Sequence, residues 1–159
     1  MPTVTLLEKA YGEFSPKDFE SIFRSMCKGL NVRIRALGAT RRGWIQIEVT
    51  GEDEEAAVNY LERYIGLAPV SMENLEKLSK IRSRVLGPKN QLELYVDIGV
   101  YSPKTLDASI PLTRLQAQLT NGKNLALQLI TKLFCLHAHF PLEIKVLDVD
   151  RKKEVIEAE

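Results

Sequence analysis

Apolar and polar residues along this chain alternate with two different periods, and the switches between them mark out its elements. Val4 and Leu6 flank Thr5 in a strand pattern that ends near Lys9. Ser15, Pro16 and Asp18 then supply a cap residue, a proline for the first helical position and a carboxylate three residues after the cap. Apolar residues follow at Phe19, Ile22, Phe23, Met26, Cys27 and Leu30, the spacing of one helix face. Period two returns at Val32, Ile34 and Ala36, separated by Arg33 and Arg35, and again at Ile45, Ile47 and Val49, separated by Gln46 and Glu48. With a turn over Gly38 to Gly43 between them, these runs predict a β-hairpin with one wet face. Thr50 to Asp53 open a second helix whose Ala56, Ala57, Tyr60, Leu61, Tyr64 and Ile65 share a face, stopped by Gly66. The order βαββα buries its apolar faces most economically as a sheet with helices on one side. That is an α+β layer of ferredoxin-like or KH-like character over residues 1–70.

Gly66 to Val70 reads either as a linker or as a fourth edge strand, and Ser71 as the cap of a short helix through Leu78. Beyond it strands dominate: Ile81 to Leu86, a turn at Gly87 to Asn90, then Leu92 to Ile98, then Ser109 to Leu112. Leu142, Ile144 and Val146 pair with Val155 and Ile156 across Asp148 to Lys153 as a C-terminal hairpin. Helical spacing over Thr113 to Leu119 and Asn121 to Leu136 falls before that hairpin, an insertion over residues 113–138. Five strands with a helical insertion before the fourth predict an OB barrel over residues 71–159. The second insertion helix is apolar except for a stripe of Asn124, Gln128, Thr131 and Lys132, so it is expected to be sandwiched rather than half-exposed.

Composition narrows the class: 45% hydrophobic and 27% charged residues describe a folded globular protein and exclude disordered, collagen-like and coiled-coil chains. The most apolar stretch, Leu125 to Leu136, is interrupted by polar residues and falls short of the roughly 20 residues that span a bilayer, so no membrane is expected. Cys27 and Cys135 make no disulfide framework and suit a reducing cytosol. The N-terminus lacks the basic and apolar regions of a secretory signal, so the expectation is a mature cytoplasmic protein.

Lys plus Arg number 22 against 21 Asp plus Glu, so any affinity for nucleic acid must come from local patches. Two stand out. Lys77, Lys80, Arg82, Arg84 and Lys89 occur with no acid between them, and Lys80, Arg82 and Arg84 alternate on one strand face. Their spacing of about 6 to 7 Å is close to the phosphate repeat of a nucleic-acid strand; an ordinary solvated strand face is the alternative. The first hairpin carries Arg33 and Arg35 on a strand, Arg41 and Arg42 in the turn, and Trp44 just after it. Parity puts Trp44 with Gln46 and Glu48 on the polar face, where guanidinium and indole together suit phosphate contact and base stacking. The alternative is a tryptophan that caps the core edge or a domain interface. Cys135, His137 and His139 lack a fourth ligand for a closed zinc site, and no nucleophile with its base or phosphate-cradling glycine loop stands out. No catalysis, metal or cofactor is expected.

Gly87 to Gly99, reading Gly-Pro-Lys-Asn-Gln-Leu-Glu-Leu-Tyr-Val-Asp-Ile-Gly, resembles the second-strand signature of the OB domain first described in the large ribosomal protein S-one. Ala108 to Thr113 is similar to that domain's third strand, and Ile144 to Lys153 to its strand-turn-strand ending. The resemblance covers residues 77–159 and implies single-stranded RNA on the face of the second and third strands, with Tyr95 matching a base-stacking aromatic. It departs at Leu92-Glu93, at Pro111 in place of a histidine, and at the acidic ending Glu154 to Glu157. The whole chain, with Val-Asp-Ile-Gly-Val at 96–100 and Ile-Pro-Leu-Thr-Arg-Leu-Gln-Ala-Gln-Leu at 110–119, also looks like an archaeal family defined by a domain of unknown function. Together these imply a non-catalytic RNA-binding protein associated with the ribosome or translation, with RNA and possible ribosomal or RNA-processing proteins as partners. The candidate RNA ligands are Arg33, Arg35, Arg41, Arg42, Trp44, Lys80, Arg82, Arg84, Lys89 and Tyr95. The alternative is a protein-interaction adaptor whose surface is the insertion helix around Leu129 and Phe134.

Overall fold

The computed structural model describes all 159 residues, which divide into two compact units, Met1–Ala68 and Pro69–Glu159. In the first, strand β1 (Thr3–Lys9) leads to helix α1 (Pro16–Met26), then to β2 (Val32–Ala39), β3 (Trp44–Gly51) and helix α2 (Glu54–Tyr64). The three strands pair antiparallel in the order β1-β3-β2. Proline opens α1, Asp18 lies in its first turn and Arg24 in its last, each favourable to the helix dipole. Ser15 makes no side-chain cap bond; its carbonyl accepts instead from the Phe19 N–H at 3.3 Å. Leu6, Phe23, Ile34, Ile45, Ile47, Val49, Ala57 and Leu61 form the core between sheet and helices.

Four residues placed on buried helix faces, Ile22, Ala56, Tyr60 and Tyr64, lie outside. Ile22 is exposed, and the Tyr60 and Tyr64 rings meet tilted, with centroids 4.4 Å apart, on the outer flank of α2 while Ala57, Leu61 and Ile65 take the core. Short helices of 11 residues bury a narrow stripe, and only its centre is enclosed. Glycine is required at two turns. At Gly43 (φ +91°) a Cβ would lie 2.9 Å from the Ala10 carbonyl oxygen, and at Gly51 (φ +141°) 2.2 Å from that of Asn31. After α2 the chain lies along β1, with Leu7 N–H donating to Gly66 O (2.9 Å) and Ala68 N–H to Thr5 O (2.8 Å). Only Leu6 and Leu67 form a bridge, so this segment is a strand fragment one residue deep.

In the second unit the expected helix after Ser71 is a single 3₁₀ turn, Met72–Asn74, capped by Ser71 accepting from the Glu73 N–H. Leu78 has φ +66°, incompatible with a helix running through it. Then come β4 (Lys80–Pro88), β5 (Glu93–Val100), β6 (Leu106–Pro111), helices α3 (Leu112–Leu119) and α4 (Leu127–Leu133), β7 (Pro141–Asp150) and β8 (Val155–Ala158). The strands close a barrel in the order β4-β5-β6-β8-β7, with β7 pairing back onto β4. Only β6 and β8 run parallel. This is the five-stranded barrel with an insertion before its fourth strand that the alternation predicts. Val85, Leu94, Val96, Ile98, Ile110, Ile144, Val146 and Ile156 fill it, and Leu115, Leu127, Ile130 and Leu136 of the insertion belong to the same core. Pro111 ends β6 and begins α3 with φ −62°, so no ladder bond is demanded of it beyond the strand.

The insertion departs from the sandwiched helix. Residues 121–126 are not helical, α4 spans only seven residues, and Leu129, Leu133 and Phe134 are exposed while Leu127 and Ile130 are buried. Apolar composition all round overstated burial because a helix this short needs only two anchors. No helix of the chain is long and apolar enough to cross a membrane.

Candidate nucleic-acid interface

The basic row predicted on the first barrel strand forms a physical stripe. Ser83 and Val85 turn inward, 2% and 0% exposed, so Lys80, Arg82 and Arg84 stand on the outer face of β4. Its neighbour β7 widens the stripe, because the ladder sets Lys145 opposite Lys80, Glu143 opposite Arg82 and Pro141 opposite Arg84. Lys80 Nζ lies 3.6 Å from Glu143 Oε1, and Glu159 receives Lys145 Nζ at 3.5 Å and Arg114 Nη1 at 3.3 Å. Three cations, Lys80, Lys145 and Arg114, thus share two carboxylates, and Arg82 stands on the same face opposite Glu143. Arg84 is half-buried and stands opposite the buried Asp97 of β5, so its charge is set against a carboxylate.

The ends of the predicted run turn to acids. Lys77 pairs with Asp148, and its hydrogen bond and charge hold the Asp148 carboxyl below the usual carboxylate range. Lys89 lies 3.4 Å from Asp107 Oδ2 and 4.5 Å from the ring centroid of Tyr95. Tyr95 itself donates to Glu93 Oε2 at 3.0 Å; partial burial, then the Glu93 carboxylate, push its phenol above the ordinary value. Because Leu94, Val96 and Ala108 fill the core, the outer face of β5, β6 and β8 carries Glu93, Asp107 and Glu157 around Tyr95, with Asp97 buried at its edge. The face that the S-one resemblance assigns to RNA is acidic here, and its aromatic is covered by a lysine.

In the first unit Arg33 and Arg35 are exposed on β2, opposite Thr50 and Glu48 of β3, with Arg41 exposed and Arg42 half-buried at the hairpin tip. The tip is held by Thr40, whose N–H donates to Trp44 O (2.8 Å) and whose Oγ1 accepts from the Trp44 N–H (3.1 Å). Trp44 corrects the expectation of an exposed indole: it is 1% exposed. Its strand parity is as predicted, opposite Lys9 of β1, but this end of the sheet is buried on both faces. Thr5, Leu7 and Lys9 are all buried, and Lys9 Nζ sits 4.4 Å from the indole centroid. Trp44 therefore offers no ring to a base.

Lys145 and Arg114 are the residues missed in the sequence. Lys145 had a signal, since it alternates with Ile144 and Val146 on a strand that an OB order places beside the first. Arg114 had none, because only the folded insertion brings it to Glu159. Cys135 is exposed in a turn at φ +55°, and His137 packs edge-on against Phe140 at 5.6 Å.

The boundaries of the first unit coincide with a family match. Residues 3–68 match the DUF2110 N-terminal domain. The matched residues contain Arg33, Arg35, Arg41, Arg42 and Trp44, whereas the barrel with its basic stripe lies beyond them. No curated protein matches the chain at a significant level.

Proposed function

We propose that this protein is a non-catalytic RNA-binding protein that holds phosphates on the β4–β7 stripe of its barrel. One observation carries the reading: Lys80 and Arg82 stand two residues apart on an exposed strand face, joined across the ladder by Lys145. Successive outward residues on a strand lie about 6 to 7 Å apart, so the row can follow a nucleic-acid backbone without reading bases. The acidic β5–β6–β8 face repels that backbone and sets the orientation of binding. Arg33, Arg35 and Arg41 of the first unit supply further phosphate contacts. The S-one resemblance supports work at the ribosome or in translation. Binding of labelled oligouridine, measured across a salt series with and without charge reversal at Arg82, tests the reading; a salt response identical in both proteins removes it.

A second reading, a protein-interaction adaptor in an archaeal complex, is favoured by the exposure of Leu129 and Leu133 on α4. It predicts a partner that protects those two residues and no loss of partner binding on reversing Arg82.

A further inference from the structure

Beside the basic stripe the barrel opens into a groove of about 350 Å³, between the insertion and β7. Leu115, Phe134 and Leu142 form its apolar walls, and Gln118, Glu143 and Glu159 supply its polar groups. We propose that this groove receives one unstacked guanine of the bound RNA strand. The inference rests on the RNA reading above and adds a base preference to it.

Four observations converge. Glu143 and Glu159, which line the groove, are the same carboxylates that hold Lys80, Lys145 and Arg114 at its mouth, so groove and phosphate stripe are continuous. Those three cations remain accessible, with side chains 72%, 39% and 48% exposed, so a phosphate can join them while its base turns inward. The volume lies at the small end of ligand sites, which run from roughly 300 Å³ upward, and suits a single planar ring system rather than a helix or a peptide. Phe134, 39% exposed, is the aromatic residue of the wall, the side-chain type on which unstacked bases stack.

The polar groups choose the base. Ionised carboxylates accept and do not donate, so the groove selects a base edge rich in donors. Guanine presents two adjacent donors, its ring N–H and exocyclic amine, on its Watson–Crick edge, with a carbonyl beside them that the Gln118 amide can meet. Adenine and cytosine present only an exocyclic amine there, and uracil a single ring N–H. A cationic protein side chain is the other occupant that carboxylates attract. Here it is opposed by the lysines and arginine already on those oxygens, which leave the mouth positive.

The test compares binding of the full chain to three fluorescent oligonucleotides: oligouridine, the same strand with one internal guanosine, and the same strand with inosine, which lacks the exocyclic amine. A single guanosine is expected to tighten binding about tenfold, in the range of one good bidentate base contact, with inosine in between. Phe134→Ala is expected to abolish the guanosine gain, so that all three strands bind the variant alike. Gln118→Ala, at an exposed position that cannot unfold the barrel, is expected to reduce the gain. Equal affinity for all three strands overturns the guanine site and leaves the phosphate stripe standing. A full guanosine gain in either variant also overturns it, by placing the preference elsewhere. Failure to bind any strand overturns both readings together.

Discussion

Replacing Arg82 with glutamate reverses one charge in the middle of the β4–β7 stripe, and the structure fixes how large the effect on binding should be. Three cations line the track a single strand would follow: Lys80, Arg82 and Lys145. Each neutralised phosphate on single-stranded nucleic acid contributes about −0.7 to the slope of log affinity against log salt, so the stripe's own share of the native slope is about −2, to which any contact by the arginines of the first unit adds. Raising salt fourfold, from about 50 to about 200 mM, then weakens binding about twentyfold. In Arg82→Glu one contact is lost and a repulsive charge cancels most of another, which leaves a slope near −0.7 and only about a threefold loss over the same range. Arg82 is exposed, and glutamate there faces Glu143 across the ladder, a like-charge pair that costs under about 1 kcal/mol of stability. Fluorescence anisotropy with labelled oligouridine gives the slopes, and a thermal melt confirms that the variant is folded. A folded Arg82→Glu protein with the native slope would refute the stripe as the phosphate track.

Three further outcomes follow from the packing. As the chain's single tryptophan and 1% exposed, Trp44 should emit at short wavelength, resist acrylamide quenching, and stay unquenched when RNA saturates the protein; Trp44→Ala should cost about 3 to 5 kcal/mol in denaturant unfolding. Gly51→Ala should destabilise the first unit by more than about 1 kcal/mol, because its positive φ and the Asn31 carbonyl 2.2 Å from the added carbon both oppose a side chain; a melting point equal to wild type would contradict this. Of the two thiols, exposed Cys135 should alkylate quickly, while burial pushes the Cys27 thiol up and keeps it protonated and slow. Since the folded value is raised, the stability tied to Cys27 is complete below the ordinary thiol range. It is lost as pH rises through the folded value, which a urea titration at alkaline pH with Cys27→Ala as control would read.

Alternation was the most legible signal. It located every strand of the sheet and of the barrel, β6 only in part, since Ser109 to Leu112 was expected where the strand runs Leu106–Pro111 and Leu112 opens α3; a strand with one buried face writes its register into successive residues. It was least informative where burial depends on what lies beyond the strand. Trp44 has the parity of Gln46 and Glu48, and nothing local to the sequence says that Lys9 lies over its ring or that this end of the polar face, with Leu7 and Thr5, is itself buried. Helix faces were legible only at their centres: Leu61 and Phe23 are enclosed, whereas Tyr64 and Ile22 at the margins of the same stripes are exposed. The insertion misled in the opposite way. Its leucines looked too many for a surface, yet Leu127 and Ile130 alone anchor α4 to the barrel core, and Leu133 is left in solvent.

The charge pattern of the barrel follows from the same alternation once closure is known. Most inward positions of each strand go to apolar residues, so most of its charge stands on the outer face, and each strand can carry a sign of its own. On β4 the outward residues are Lys80, Arg82 and Arg84; on β5 they are Glu93, Tyr95 and Asp97. Because β4 pairs with both β5 and β7, the sign changes at one ladder, where Arg84 meets Asp97, and the positive side spreads to Lys145 on β7. A net charge of +1 therefore conceals two opposed surfaces. A nucleic-acid backbone within a Debye length, about 8 to 10 Å at ordinary salt, senses the nearer surface and not the sum. It follows that reversing an outward acid of β5, as in Glu93→Lys, should strengthen RNA binding without creating the native site. Arg82→Glu should cut the stripe's share of the salt slope to near −0.7; the two substitutions change the total charge by two units in opposite directions.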